Sequence, residues 1–410
     1  MSNIKNPFST EPYKGTRDFY PQSSLITPGK SISYQEHFKY IESKIEKVLI
    51  TKGFSEYSSS IIEYSDVFKA KSGDELANRA LYEFVDKGDR RITLRPELTL
   101  GASRMVANQF QNLRFPLRWY SWDNNFRYER PQKGRLREFW QMEINIIGEE
   151  AGGSDLEIMS LVTNLFKEFG ATAEMYTLKL NHRGVLNKWI EQNKWTKNQS
   201  QIFAILDNWY KSNPQKTQTE LSSFLNDIDV QKIINTINKV GSSWQEYMQI
   251  CENFPEISLI YKTFQEIYPK TPLELTPTII RGQSYYTGII FECFDTNKNN
   301  PRSLFGGGRF DGLLDIFGKQ APAVGFAPGE VSFHEFLLNW NLYPEKFSSL
   351  IKVGIIPKSP DNLPQVFSEI IPALHQVNKT FDIDYQYDRK ENKRYDTLKK
   401  RGCDEIITLG

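Results

Sequence analysis

Residues 118–148 constrain the fold more than any other stretch of the chain. Two apolar, aromatic-rich runs flank a loop that carries Arg130, Lys133, Arg135 and Arg137 between Glu129 and Glu138, together with Pro131 and Gly134. The flanks read as strands and the middle as a long hairpin loop. A hairpin needs only a few loop residues, so a loop this long and cationic asks for a reason. By itself a charge run reads as a solvated loop. Its neighbours argue for more. Arg127 and Glu129 stand at the entrance, on one face of a strand by the period of two, and Phe139 and Gln141 share a face at the exit. A fixed arginine, a carboxylate, an aromatic plate and an amide beside a basic loop suit a nucleoside triphosphate.

The length of 410 residues allows two or three domains and a substantial core. A formal net charge of +1 excludes a global field that would steer the chain to nucleic acid or membrane, while leaving room for a local basic face. Cys251, Cys293 and Cys403 lie far apart without metal spacing, and the histidines (His37, His182, His334, His375) are scattered. This argues against a structural zinc site and a disulfide scaffold, and fits a reducing cytoplasm. No run of about 18 apolar residues is present, so a soluble protein is expected.

Helical periodicity marks residues 34–52, ending at Gly53, and a second helix follows a capping-box pattern at Ser154 and Glu157 and stops at Gly170. A hairpin is expected over 81–95, running into Arg95-Pro-Glu-x-Thr99 and a helix over 99–109. Residues 184–268 turn polar and helical, which reads as a helical insertion in a β-rich domain. Strand signals return at 275–280 and 289–294. The run Gly306, Gly307, Gly308 reads as a tight turn, and an apolar helix is expected over 331–338. After a linker at 340–350, residues 351–410 alternate strand and helix as a βαβαβ unit with a parallel sheet.

The candidate site residues each carry two readings. Glu97 and Thr99 can catch a substrate ammonium, or Thr99 can cap a helix. Arg127 can hold a phosphate as a planar fork, or pair with Glu129. Phe139 can stack on a base, or serve the core. Arg281, just before Tyr285 and Tyr286, can neutralise charge developing at phosphorus, or sit on a surface turn. The glycine run matches neither a Rossmann nor a P-loop fingerprint. No Ser/His/Asp or Cys/His arrangement is apparent.

The order of the motifs Lys14-Gly-Thr-Arg-Asp-Phe19, Leu94-Arg-Pro-Glu-x-Thr99, residues 126–141, Arg281-Gly-x-x-Tyr-Tyr-Thr-Gly288 and Gly306-Gly-Gly-Arg-Phe-Asp311 resembles that of histidyl-tRNA synthetases, from about residue 12 onward. The resemblance implies an α+β fold. A class II catalytic domain over 1–339 would have an antiparallel sheet, flanking helices and the insertion. An anticodon-binding-like α/β domain would follow over 351–410, shorter than the family's and expected to be incomplete. It implies a cytoplasmic homodimer that uses histidine, ATP with Mg²⁺, and tRNA(His). Carried over, Glu97, Thr99 and Gln141 bind the amino acid. Arg127 bridges its carboxylate and the α-phosphate. Glu129 meets the adenine amino group, Phe139 stacks on the ring and Arg135 reaches the outer phosphates. Tyr285 and Tyr286 line the imidazole pocket, and Arg281 stabilises the α-phosphate during attack.

The chain departs from the family pattern at several places. Asn145 stands where an acidic residue usually faces the imidazole, so Asn145→Glu is expected to tighten histidine binding. Ser60 replaces a first-motif proline and Gln283 an apolar residue, and Gly329-Glu-Val-Ser332 lacks the usual third-motif arginine. A rival reading is the synthetase-like regulatory subunit of ATP phosphoribosyltransferase, which senses histidine without aminoacylation. Another is a paralogue that forms the adenylate and charges no tRNA.

Overall fold

The computed structural model describes residues 9–20, 33–71, 80–131, 134–209, 213–280, 285–297, 300, 302–344 and 350–410. The chain divides into two units, Met1–Tyr343 and Pro344–Gly410.

The first unit is built on an eight-stranded sheet ordered β1-β5-β6-β11-β10-β9-β7-β8. Its strands are β1 (Ser55–Glu56), β5 (Leu117–Phe126), β6 (Glu138–Ile147), β7 (Tyr176–His182), β8 (Leu273–Leu275), β9 (Ile289–Asp295), β10 (Ser303–Arg309) and β11 (Ala323–Phe326). The six inner strands run antiparallel. Both edges depart from the expected antiparallel sheet: β1 pairs with β5, and β8 with β7, in parallel. Connectivity explains this, because parallel neighbours need a long crossover. A small sheet intervenes between β1 and β5, and the helical insertion lies between β7 and β8.

The hairpin read from residues 118–148 is the longest ladder. β5 and β6 pair in unbroken register from Leu117↔Ile147 to Phe126↔Glu138. Met142, Ile144 and Ile146 are fully buried, and Trp140 stacks edge-on against Phe38 at 5.2 Å. Phe38 lies on the helix Tyr34–Thr51, whose Ser33 and Glu36 form a reciprocal capping box. That helix packs with Gly153–Glu168 and Glu330–Asn339, which also contact β6, β10 and β11.

Local expectations fared unevenly. The helices at 34–51, 99–108, 153–168 and 330–339 form, as does the helical insertion, with six α-helices described from Arg183–Gln192 to Pro255–Ile267. The strand expected over 275–280 is instead Leu273–Leu275, sharing only its last residue with that range. The capping box assigned to Ser154 and Glu157 is displaced. The helix starts at Gly153, and the Asp155 carboxylate accepts from the Gly152 amide at 2.6 Å.

The glycine run is not a turn. Gly306, Gly307 and Gly308 lie inside β10, paired with β9 and β11. The reason is close approach. A Cβ on Gly307 would stand 2.2 Å from the Gly325 carbonyl oxygen, and one on Gly308 would stand 2.4 Å from that of Ile289. Glycine's poor strand propensity yields to a tertiary demand that no other residue meets.

A second, antiparallel sheet orders β2 (Ile62–Tyr64), β4 (Arg91–Leu94) and β3 (Tyr82–Val85). The second unit holds a parallel sheet ordered β13-β12-β14, with β12 (Lys352–Pro357), β13 (Thr380–Ile383) and β14 (Glu405–Leu409). Its connections are the helical residues 363–376 and Glu391–Lys400, the alternation read from the sequence.

Candidate active site

A cavity of about 680 Å³ opens on the large sheet of the first unit. Odd-numbered residues of β6 supply its floor: Phe139, Gln141 and Glu143 all line it, while their even-numbered neighbours Met142 and Ile144 enter the core. Alternation in a strand places successive residues of one face about 7 Å apart. The residues from Phe139 to Glu143 therefore span the length of an adenylate-sized ligand.

Near Glu143, the cavity is lined by Glu97, Thr99, Tyr285, Tyr286 and Phe310. Thr99 is the first residue of its helix and does not cap it. Its hydroxyl instead donates to Glu143 Oε1 at 2.6 Å. The Tyr285 phenol donates to Glu97 Oε2 at 3.2 Å, and its ring lies 5.0 Å from that of Tyr286 and 5.8 Å from Phe310. Two carboxylates and an aromatic wall thus face one another.

Near Phe139, Arg127 stands over the ring at 5.1 Å, and its Nε donates to the Pro96 carbonyl at 2.9 Å. That bond sets the guanidinium next to Glu97. β5 ends at Phe126, so Arg127 and Glu129 lie just beyond the strand rather than on its face. Glu129 pairs with Arg135 at 3.1 Å. The pair is solvent-accessible and costs little to open. Arg302 and Ser332 also line the cavity, as do Asp207 and Asn208 from the insertion.

The structure brings Glu97, Thr99, Arg127, Glu129, Arg135, Phe139, Gln141, Tyr285 and Tyr286 to this one cavity. Asn145 is not in its lining. It is 1% exposed, its Nδ2 donates to Glu143 Oε1 at 3.1 Å, and a Cβ on Gly325 would stand 2.0 Å from its Oδ1. Arg281 lies outside the described residues.

Two features escaped sequence reasoning. One is the brace formed by residues 13–17. Gly15 accepts from the Arg137 amide at 2.7 Å, Arg137 donates to the Tyr13 phenol at 2.7 Å, and Arg17 pairs with Glu330 and donates to the Tyr34 phenol. The turn-rich Lys14-Gly-Thr-Arg-Asp-Phe motif was the available signal. The other is Glu143. Burial pushes its carboxyl up to about 7, reinforced by the charge of Glu97 and opposed by the Thr99 and Asn145 hydrogen bonds.

A folded-state value above the unfolded one means that the folded protein binds the extra proton between about pH 4.5 and 7, so stability falls as pH rises through that window and levels off above it. Glu143→Gln keeps the acceptor oxygen and removes the charge. It is expected to stabilise the free protein by about 2–3 kcal/mol at pH 8 and by nothing at pH 4. Denaturant titrations at both pH values check this.

The sequence profile of the family described as histidyl-tRNA synthetase matches residues 33–329. A histidine–tRNA ligase of Leptospira biflexa is 32% identical, over 98% of this chain and 92% of its own length. The chain belongs to the histidyl-tRNA synthetase family. A second relative in this family, the histidine–tRNA ligase of Methanococcus maripaludis, is 31% identical over 97% of the chain and 91% of its own length. Two solved structures share the fold. The histidyl-tRNA synthetase of Nostoc sp. PCC 7120 has a TM-score of 0.75 at 20% identity, covering 98% of this chain and 92% of that one. A protein of Bacillus halodurans described as an ATP phosphoribosyltransferase regulatory subunit/histidyl-tRNA synthetase has a TM-score of 0.77 at 19% identity, covering 98% and 99%. The family is one of aminoacyl-tRNA ligases, and the class II fold expected from the motifs is borne out.

Proposed function

We propose that the chain is a histidine–tRNA ligase, which activates histidine with ATP and transfers the histidyl group to the 3′ end of tRNA(His). The observation that carries this reading is that one strand, β6, presents Phe139, Gln141 and Glu143 to a single cavity, flanked by Arg127 and by Glu97 and Thr99. Phe139 stacks on the adenine. Glu129 and Arg135 part to meet the adenine amino group and the outer phosphates. Arg127 bridges the histidine carboxylate and the α-phosphate, with Arg281 as second cation. Glu97, Thr99 and Gln141 hold the α-ammonium, and Tyr285 and Tyr286 line the imidazole pocket. A carboxylate oxygen attacks the α-phosphorus and pyrophosphate leaves. A ribose hydroxyl of the tRNA then attacks the carbonyl carbon and AMP leaves. The protein positions groups and compensates charge. Among the described residues no three His, Cys, Asp or Glu groups gather as a metal cage. Mg²⁺ would enter with the nucleotide and offset the charge of its phosphates.

Histidine-dependent ATP–pyrophosphate exchange followed by tRNA charging tests the proposal. Exchange with charging is expected. Absence of exchange at saturating histidine overturns it in favour of a histidine-sensing regulatory subunit, the reading that Asn145 favours. Exchange without charging identifies a paralogue that stops at the adenylate.

A homodimer is supported by the small sheet. In its register Leu94 lies between Ile62 and Tyr82, and Ile92 between Tyr64 and Phe84, so these apolar side chains share one face. Ile62, Tyr64 and Phe84 are exposed. A contiguous apolar face of this kind is what a monomer does not leave open. Ile62→Asp is expected to convert the dimer to a monomer in sedimentation equilibrium. A cytoplasmic setting is supported by the free, buried thiols of Cys251, Cys293 and Cys403. No helix among the described residues is long and apolar enough to cross a membrane.

A further inference from the structure

We propose that Glu143, with Asn145 as its positioning residue, is the group that reads the imidazole of the amino acid, a role the motif pattern would give to position 145. The inference rests on the cavity being a histidine site. Asn145 cannot fill the role itself. It is buried behind the lining, and its Nδ2 donates to Glu143. Its Oδ1 is buried without a hydrogen-bond partner and packs against Gly325, where there is no room for a side chain.

Glu143 is 3% exposed yet lines the cavity. Both of its hydrogen bonds, from Thr99 and Asn145, land on Oε1. They fix the carboxylate and leave Oε2 for a ligand. Histidine carries two nitrogen groups that a carboxylate can recognise, and the cavity offers two buried carboxylates. Position along the floor separates them. Glu97 follows Pro96, whose carbonyl Arg127 holds, so Glu97 sits beside the group assigned to the substrate carboxylate, one carbon from the ammonium. Glu143 lies a further step along β6 from Phe139 and Gln141, about 7 Å beyond the latter, where the side chain points away from the nucleotide. The rings of Tyr285, Tyr286 and Phe310 supply flat walls there.

Among the described residues, the groups facing Glu143 are Glu97 from the loop before the Thr99 helix, the phenols of Tyr57 and Tyr285, and the neutral Thr99 and Asn145, none of them a cation. A ring N–H is the donor this carboxylate lacks, and a charge-assisted hydrogen bond to it supplies recognition. The same geometry reverses the expectation for Asn145→Glu. A second carboxylate would lose the Nδ2 donor and stand against Glu143, so histidine binding weakens.

Calorimetry on the full chain tests the inference without requiring adenylate formation. L-Histidine and imidazole propionate, which keeps ring and carboxylate but lacks the ammonium, are titrated into the wild type, Glu143→Gln and Glu97→Gln. Glu143→Gln is expected to weaken both ligands by roughly 10- to 100-fold, and Glu97→Gln to weaken histidine alone. Unchanged histidine affinity in Glu143→Gln overturns the proposal. So does a loss confined to histidine, which would assign Glu143 to the ammonium. The wild type supplies a check that needs no variant. Of the two ring-N-methylated histidines, at least one is expected to bind tenfold or more weaker than histidine; equal binding of both overturns the proposal. A wild type that binds no histidine removes the proposed function itself.

Discussion

Arg127→Ala is expected to lower histidine-dependent ATP–pyrophosphate exchange by roughly 100- to 1000-fold, the usual loss when a fixed donor to developing charge is removed. The fold should survive, because the side chain is only half-buried and lines the cavity rather than the core. Arg127→Lys should recover little. An ammonium cannot bond Pro96 with one nitrogen while offering a planar fork to a carboxylate and a phosphate. Single-turnover adenylate formation with both substrates saturating is the decisive measurement. A rate within threefold of wild type would remove Arg127 from the chemical step and leave it a binding residue.

Arg309→Met is expected to cost the first unit about 3–5 kcal/mol in unfolding free energy, the penalty for breaking a buried pair from one side. Arg309 is 1% exposed and Asp155 0%. The guanidinium donates to Asp155 at 2.9 Å, to Ser154 Oγ at 2.6 Å, to the carbonyls of Glu149 and Glu150, and to Asp311 at 2.9 Å. Its fork is saturated, so removing it strands a buried carboxylate and two carbonyl oxygens. A double variant with Asp155→Leu should be less destabilised than the two single losses combined, because the uncompensated charge goes too. Calorimetric melts of the two singles and the double measure the coupling. Strict additivity would show that the pair contributes no mutual interaction.

Much of this architecture was readable locally. The β5–β6 hairpin announced itself because its apolar runs are long and its loop is charged, the helix at 34–51 because its apolar spacing stops at Gly53, and the helix at 330–339 because its run is apolar. What escaped depended on distant partners. Gly306 to Gly308 read as a turn because glycine is a poor strand former, and only the neighbouring strands reveal why nothing larger fits at Gly307 and Gly308. Arg309 and Asp155 are separated by 154 residues, a pairing that no local pattern encodes. Alternation put Phe139 and Gln141 on one face, but the resemblance that pointed to position 145 says nothing of depth, and Asn145 lies behind the cavity lining while Glu143 lines it. The brace from Tyr13 to Arg17 was visible as a motif, though its target was not.

The unbroken register of β5 and β6 limits which insertions and deletions the hairpin can absorb. A residue added between Glu129 and Glu138 changes the reach of the loop and leaves every rung of the ladder paired as before. A residue added within β6 turns the distal part of the strand over. Met142 would then face the ligand and Glu143 would be driven toward Phe38. The proposed base stacking by Phe139 and imidazole recognition by Glu143 both hang on that one strand, so such a frameshift of the backbone would abolish them together. Length variation is therefore expected to accumulate in the loop and to be absent from the strand.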